Sequence, residues 1–592
     1  MSGDRVEKLV EDFRRSKYTR REFVLRAMYM GMSAGAIGGL LQACAPAAEP
    51  EPTTAPEATE APKATEAPEP TSAPVATFTT VPTEAPAAEG PRQGGSLIYG
   101  IHNEIQPIDW STPWACESMC VDIYEYLSIL DPQGEVKPWL ATNEVADDWS
   151  TITFKLQEGK KFHSGDPLDA EAVKANFETW LDPENGYWPE FYRNVTSVEA
   201  PDDTTIVLNL DKLDTDALRG TCFIFSPMGN DAMRKANPDA YGRTMADGTG
   251  PYKFKSWEGD TLTVERFDDY FGAPGHMDNK GPTYLDQKQY IWLPDQSMRS
   301  VNLETGEFDM VEQPAPQDIE RLDANPDITV LRRNAPAMLL VQFNHEREIP
   351  ADRNVREAVY RAIDRKPIVD QVLFGAAYEG FSNVVPHDDG YWEGSETLYP
   401  HDPTKAGELL EESGWMMGAD DVREKDGEPL ELTMIIKAGT EERNVGQVVQ
   451  QQLAAVGIKV NLEVLDAGSH FVAQEAGEFD LCFFRYWYDS SINVLKALYH
   501  STVIPVPNWS RWNNAETDKW LDTFNLQDTS EKRIEAIVNY QKAMLAEVAD
   551  VPIYNPMDVW ALNKWVKGFK VQNYMCYNMH NDLYVTEESP RA

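Results

Sequence analysis

The residue types that carry most enzyme chemistry occur in this chain, but not at the spacings that chemistry needs. No two of the nine histidines fall within four positions of each other, so no helical pair of metal ligands exists. No HExxH, phosphate-cradling glycine loop or EF-hand loop is found. Gly31-Met32-Ser33-Ala34-Gly35 matches the letters of a nucleophile elbow, yet it sits inside an uncharged apolar run with no sheet to carry the turn. The six cysteines, Cys44, Cys116, Cys120, Cys222, Cys482 and Cys576, include no C-x-x-C pair, which argues against a zinc ribbon or a dithiol redox site. Neither an enzyme nor a cofactor or metal is expected. What remains is binding chemistry. The sixteen tryptophans exceed what a core requires, and flat rings with a polar tip stack on sugar faces and peptide side chains alike. Trp110 and Trp114 follow the first predicted strand, while Trp487, Trp509 and Trp512 cluster late in the chain. For each the alternative is plain core packing.

The formal charge is −44 over 592 residues. Residues 1–43 hold eight Lys or Arg against five Asp or Glu, so the remainder stands near −47. Nucleic acid is excluded as a partner, because a phosphate backbone needs a basic stripe. Such a charge keeps a surface solvated, with a weak preference for cationic ligands.

The N-terminus carries an address. Arg20-Arg21 precedes Phe23, and Ala27 to Leu41 is an uncharged run of fifteen residues, a helix of ~22 Å against a hydrocarbon core of ~30 Å. That length suits an export signal and not a membrane span. The run closes Leu41-Gln42-Ala43-Cys44, which resembles the lipobox of bacterial lipoproteins, in which the Cys takes a diacylglyceryl chain and becomes the new N-terminus. The arginine pair resembles the signal of the Tat route. With Cys44 modified, five cysteines remain, so at least one thiol has no partner in the chain. Residues 45–94 are Ala, Pro, Thr and Glu, with Thr-Glu-Ala-Pro at 59–62, 65–68 and 83–86. With little to bury and frequent proline, this segment is expected to be an extended, disordered stalk reaching up to ~150 Å.

The body mixes strand and helix periods. Leu432 to Ile436 reads as a buried strand, Val445, Val448, Val449, Leu453 and Val456 as one helix face, Gly457 as a stop, and Ile458 to Val464 as an alternating strand. That is a βαβ unit, so the class is α/β with a parallel pair. A further helix is predicted over 529–548, and 204–210 alternates like a half-exposed strand.

Several stretches recur together. Phe154–Leu168 reads as strand, Gly turn and helix entry, followed by Asp247-Gly248-Thr249-Gly250-Pro251-Tyr252. Gln342-Phe343-Asn344, Val355-Arg356-Glu357-Ala358, Ala362-Ile363-Asp364-Arg365, Lys405–Leu410, Ser413-Gly414-Trp415 and Asp426–Leu430 come next in order. Over roughly 95–575 this succession resembles the family 5 extracellular solute-binding proteins of ABC importers, the group of dipeptide, oligopeptide and nickel binders. The resemblance implies a bilobal, hinged periplasmic-binding-protein fold (type II, cluster C-like) with an extra domain on one lobe. Its expected partition is signal 1–44, stalk 45–94, lobe I at 95–130, 248–342 and 555–592, extra domain 131–247 and lobe II 343–554. Ligand would lie between the lobes, and closure on it would present the protein to a permease with its ATPase subunits. In peptide-binding members an Asp after an aromatic run pairs with the ligand's α-ammonium. Asp489, at the end of Phe483-Phe484-Arg485-Tyr486-Trp487-Tyr488-Asp489, holds that position, and a helix N-cap is its alternative. The chain then departs from the peptide binders, continuing Ser490-Ser491-Ile492-Asn493. Asn344 resembles a pocket-lining Asn, or else caps its own turn. The expectation is therefore a monomeric, lipid-anchored capture protein at the outer membrane face or in the periplasm, taking peptides or related short polar solutes. An oligosaccharide ligand is the alternative within the family, and a tethered secreted hydrolase the alternative outside it.

Overall fold

A computed structural model of the chain describes residues 90–592 apart from 113–118, 132–134, 183–188, 223–225, 387, 389, 488–491, 528 and 573–578. Arg20, Arg21, Cys44, nearly all of the stalk, Trp114 and Asp489 lie outside the described residues. The unit read at 432–464 folds as its pattern requires. Glu431–Lys437 is a strand, helix Thr440–Ala454 buries Val445, Val449 and Leu453 and half-buries Val448, and Lys459–Leu465 returns parallel to the first strand. Gly457 makes the stop at φ +85°, a conformation that costs glycine nothing. The second predicted helix is Ser530–Ala546, capped by the Thr529 hydroxyl. Ile537, Leu545 and Val548 are buried there.

These strands belong to a twelve-stranded mixed sheet. Its order is Lys459–Leu465, Glu431–Lys437, Leu481–Trp487, Ala337–Phe343, Asp550–Asn563, Met310–Glu312, Ser96–Ile101, Gln287–Trp292, Thr261–Arg266 and Tyr252–Glu258. Ile328–Asn334 and Ala377–Glu379 pair with Asp550–Asn563 beside that path. Two blocks within the sheet are parallel. The first joins Ser96–Ile101 to Gln287–Trp292 and Met310–Glu312. The second joins Glu431–Lys437 to Lys459–Leu465 and Leu481–Trp487. The fourteen-residue strand Asp550–Asn563 runs through both.

Side-chain alternation sorts the cores. Leu339, Val341 and Phe343 enter a core shared with helix Thr440–Ala454, while Met338 and Leu340 enter one on the opposite sheet face, with Ile537 and Tyr540. The first block shares a core with a four-stranded antiparallel sheet ordered Ala141–Val145, Thr151–Leu156, Thr205–Leu210, Val195–Asp202. Helix Ala170–Leu181 adds Val173, Phe177 and Trp180 to that core. Each such fully buried side chain contributes about 1.5–3 kcal/mol by leaving water. Among the described residues the chain passes between the halves at 334–337 and at 554–557. The Asn555 amide nitrogen ties the two passages together, donating to the carbonyls of Ala335 at 2.7 Å and Ala337 at 2.5 Å. All of Ala337–Phe343 is buried, its side chains divided between the core of helix Thr440–Ala454 and that of Ile537 and Tyr540. No helix among the described residues is long and apolar enough to cross a membrane.

Candidate functional site

In open parallel sheets the connections splay apart beyond the carboxyl ends of the strands, and ligands collect there. Both parallel blocks turn that edge toward the passages. In the second block Trp487 pairs with Ala337 at the passage, and in the first Glu312 pairs with Trp560, just past Met557. Two carboxyl edges thus face one another across the hinge segments.

On the second-half edge, Arg485, Leu339 and Tyr554 lie side by side on three adjacent strands and share one sheet face. The Arg485 guanidinium spans Leu339, standing 5.7 Å from the Tyr554 ring centroid with Nη2 2.5 Å from the phenol oxygen. Arg485 and the Tyr554 hydroxyl both donate to Glu441, in the first turn of helix Thr440–Ala454, and Glu442 lies 3.9 Å from Arg485. Burial alone would lift the Glu441 carboxyl, but Arg485 and Tyr554 outweigh it and hold it below its ordinary range. Arg485, Glu441 and Glu442 are all partly exposed, so this charged trio is open to a ligand.

On the first-half edge, Trp560 donates its indole N–H to Tyr99 at 3.1 Å, Tyr99 donates to Glu312 at 3.0 Å, and Glu312 meets His102 Nδ1 at 2.7 Å. Beside them Arg333 pairs with Asp558 at 2.9 Å across two neighbouring strands. Gln313 reaches the same Asp558 at 3.1 Å from a backbone held at φ +48°, an uncommon conformation for a residue with a Cβ. Arg299, itself buried, donates to the carbonyls of Leu293, Glu312 and Gln313 and so fixes the ends of two strands. Behind Tyr99 lies a sealed cluster in which the Lys288 ammonium sits 2.5 Å from Asp122 and 2.6 Å from His580. Burial pulls Lys288 down to about 8 although Asp122 opposes it. The thiols of Cys222 and Cys482 are buried and pushed up to about 12, which makes them inert as nucleophiles.

The residues singled out from sequence fall in several places. Trp487 ends its strand at the carboxyl edge, its side chain outside the described residues. Trp110 takes the core-packing alternative. It has no exposed surface, packs edge-on to Trp180 at 5.9 Å, and leaves no room at Gly229, where a Cβ would come within 2.0 Å of its ring. Asn344 takes the alternative of capping its own turn, accepting the Glu346 N–H at 3.2 Å, and it stands past Phe343, at the end of its strand remote from the passages. Its side chain is buried and donates to the Gly477 and Phe479 carbonyls, which makes it a turn brace. Trp512 lies beside it, buried against His345 with its indole bonded to Thr517. Trp509 is half-buried against Phe471 and Phe484, a ring on the sheet face opposite Arg485. Sequence reading passed over Arg485, Glu441, Tyr554, His102, Glu312 and Asp558. The signal for Arg485 was a lone charge inside an otherwise apolar strand.

Residues 135–504 match the family model described as "Bacterial extracellular solute-binding proteins, family 5 Middle". The oligopeptide-binding protein AppA of Bacillus subtilis is 27% identical over 526 residues, covering 85% of this chain and 92% of its own. Heme-binding protein A of Haemophilus influenzae is 26% identical over 464 residues, 74% of this chain and 82% of its own. The crystal structure of NikA from Brucella suis in complex with Fe(III)-EDTA superposes with a TM-score of 0.73 at 22% identity, over 83% of this chain and all of that one. Its fold is the bilobal one of periplasmic binding proteins. The chain therefore belongs to the family 5 extracellular solute-binding proteins, which serve ABC importers by binding solutes and are not enzymes.

Proposed function

We propose that this chain captures peptides or related short polar solutes outside the membrane and delivers them to a permease, while a lipid on Cys44 holds it at the outer face. The observation that carries the ligand class is the pairing of opposite charges on both facing edges, Arg485 with Glu441 and Arg333 with Asp558. A zwitterion with amide groups finds partners of both signs there, and the desolvation of each charge on closure is offset by a partner. Asp489, two positions beyond the strand that ends at Trp487, is the proposed partner of the solute's ammonium. The lipid anchor rests on Leu41-Gln42-Ala43-Cys44 and the short apolar run before it. The oligosaccharide alternative rests on the tryptophans and on the departure after Asp489, and two of those tryptophans, Trp110 and Trp512, are core residues. A thermal-shift screen against dipeptides, longer peptides and β-linked oligosaccharides tests the reading. A ligand at 100 times its dissociation constant adds about 2.7 kcal/mol of apparent stability. Stabilisation by peptides, abolished by Asp489→Ala, is the expected result, whereas stabilisation by sugars alone would overturn the peptide assignment and leave the capture role standing.

A further inference from the structure

We propose that Glu442 gives the site a charge preference by taking a second cationic group of the solute, a lysine or arginine side chain of the bound peptide. The proposal rests on the capture reading above and leaves the backbone ammonium to Asp489. It follows from a charge count at the second-half edge. One cation, Arg485, stands there among two carboxylates, Glu441 and Glu442. Glu441 takes it up, because its Oε1 accepts from both Arg485 Nη2 and the Tyr554 hydroxyl. Glu442 is left 3.9 Å from the same nitrogen, beyond hydrogen-bond reach, and its oxygens accept no hydrogen bond among the described residues. The Lys437 ammonium, at the end of the adjoining strand, lies over the Phe471 ring, which packs on Trp509 at the opposite sheet face. One negative charge at the edge is therefore unmatched.

The turn that carries Glu442 fixes where this charge sits. Gly439 lies between strand Glu431–Lys437 and helix Thr440–Ala454, at the carboxyl edge. Glu442 Oε2 occupies the space over Gly439 where a Cβ would collide with it. The carboxylate is thus folded back over the strand-to-helix turn, with Arg485 on its other side, where the parallel strands open. Its side chain is 23% exposed, so it keeps part of its hydration while the cleft is open. Closure on a solute strips that water. A cationic side chain offsets the loss, and a neutral or anionic one does not. A first-turn Glu also answers the helix N-terminal dipole, but that role does not depend on which solute is bound. A comparison of ligands therefore separates the two.

Calorimetry of the purified protein with Lys-Ala-Ala, Ala-Lys-Ala and Ala-Ala-Lys, each beside its Nζ-acetylated form, tests this. Acetylation removes the side-chain charge and leaves the backbone ammonium in place. For at least one position of the lysine, the charged peptide should bind about tenfold tighter than its acetylated form. Glu442→Gln should abolish that preference. Gly439→Ala should remove most of it with the charge retained, because the new methyl group displaces the Glu442 carboxylate from its place over the turn. That variant should fold, since Gly439 has an extended backbone at φ −167° and what must move is the end of a flexible side chain. Equal binding of charged and acetylated peptides, or a preference that Glu442→Gln leaves unchanged, overturns this assignment alone and leaves peptide capture standing. If no peptide binds the wild type, the peptide reading fails and the assignment falls with it.

Discussion

Replacing Asp550 by Asn should stabilise the protein at neutral pH and change little near pH ~4. Asp550 opens the long strand that runs through both halves, and it is 3% exposed. Its Oδ2 accepts from the Tyr499 hydroxyl at 2.6 Å and from the Asn383 amide at 3.4 Å, with Tyr486 and Tyr540 packed in the same core. Burial pushes its carboxyl up from 3.8 to about 6, and these hydrogen bonds only partly oppose that. Because the folded form holds the proton more tightly than the unfolded chain, the folded state loses stability as pH rises from about 4 to about 6 and stays level above. Roughly two pKa units correspond to about 3 kcal/mol at neutral pH. An amide cannot ionise, keeps an oxygen for Tyr499, and brings an N–H to a pocket where the buried Asn383 oxygen has no partner. Urea unfolding of wild type and variant at pH ~4 and ~7.5 gives two differences from which every other titrating group cancels. The variant's advantage should grow by about 2–3 kcal/mol between those conditions. An advantage that does not change with pH would refute the reasoning.

Three further perturbations have defined outcomes. Trp110→Ala should cost about 3–5 kcal/mol in denaturant melts and leave solute affinity unchanged, as befits a core ring. Asp122→Asn strands the Lys288 ammonium in a sealed cluster and should cost about 3–5 kcal/mol, of which adding Lys288→Met should return a large part. Asn555→Ala removes both bonds that tie the two passages, at about 1–3 kcal/mol, and small-angle scattering should then show a wider spread of ligand-free conformations.

The parts of the fold that were legible in sequence are those with a local period. Glu431–Lys437, Thr440–Ala454 and Lys459–Leu465 announce themselves because apolar residues recur at two and then at three to four positions around Gly457. The division between halves is not local. Strand Ala337–Phe343 is buried from end to end, so its pattern says only that it lies inside, and the pairing partners that assign it to the second half come from more than a hundred residues away.

The site was harder to read for a related reason. A tryptophan buried against Trp180 and one lining a cleft are the same letter, so the sequence leaves Trp110 open between core and cleft. Asn344 ends a buried strand and so reads as a lining residue or as the cap of its own turn, and a strand has two ends. Only the direction of its neighbours tells which one faces the ligand. Ala337–Phe343 runs antiparallel to Leu481–Trp487, so the carboxyl edge of the block meets its start and not its finish. That single fact moves Asn344 and the neighbouring Trp512 to the remote side and brings Arg485, Tyr554 and Glu441 to the hinge. His102 and Glu312 are 210 positions apart, and what joins them is the parallel pairing of Ser96–Ile101 with Met310–Glu312. Chemistry built across parallel strands becomes visible only when the order and direction of those strands are known, since neither residue is unusual beside its own sequence neighbours.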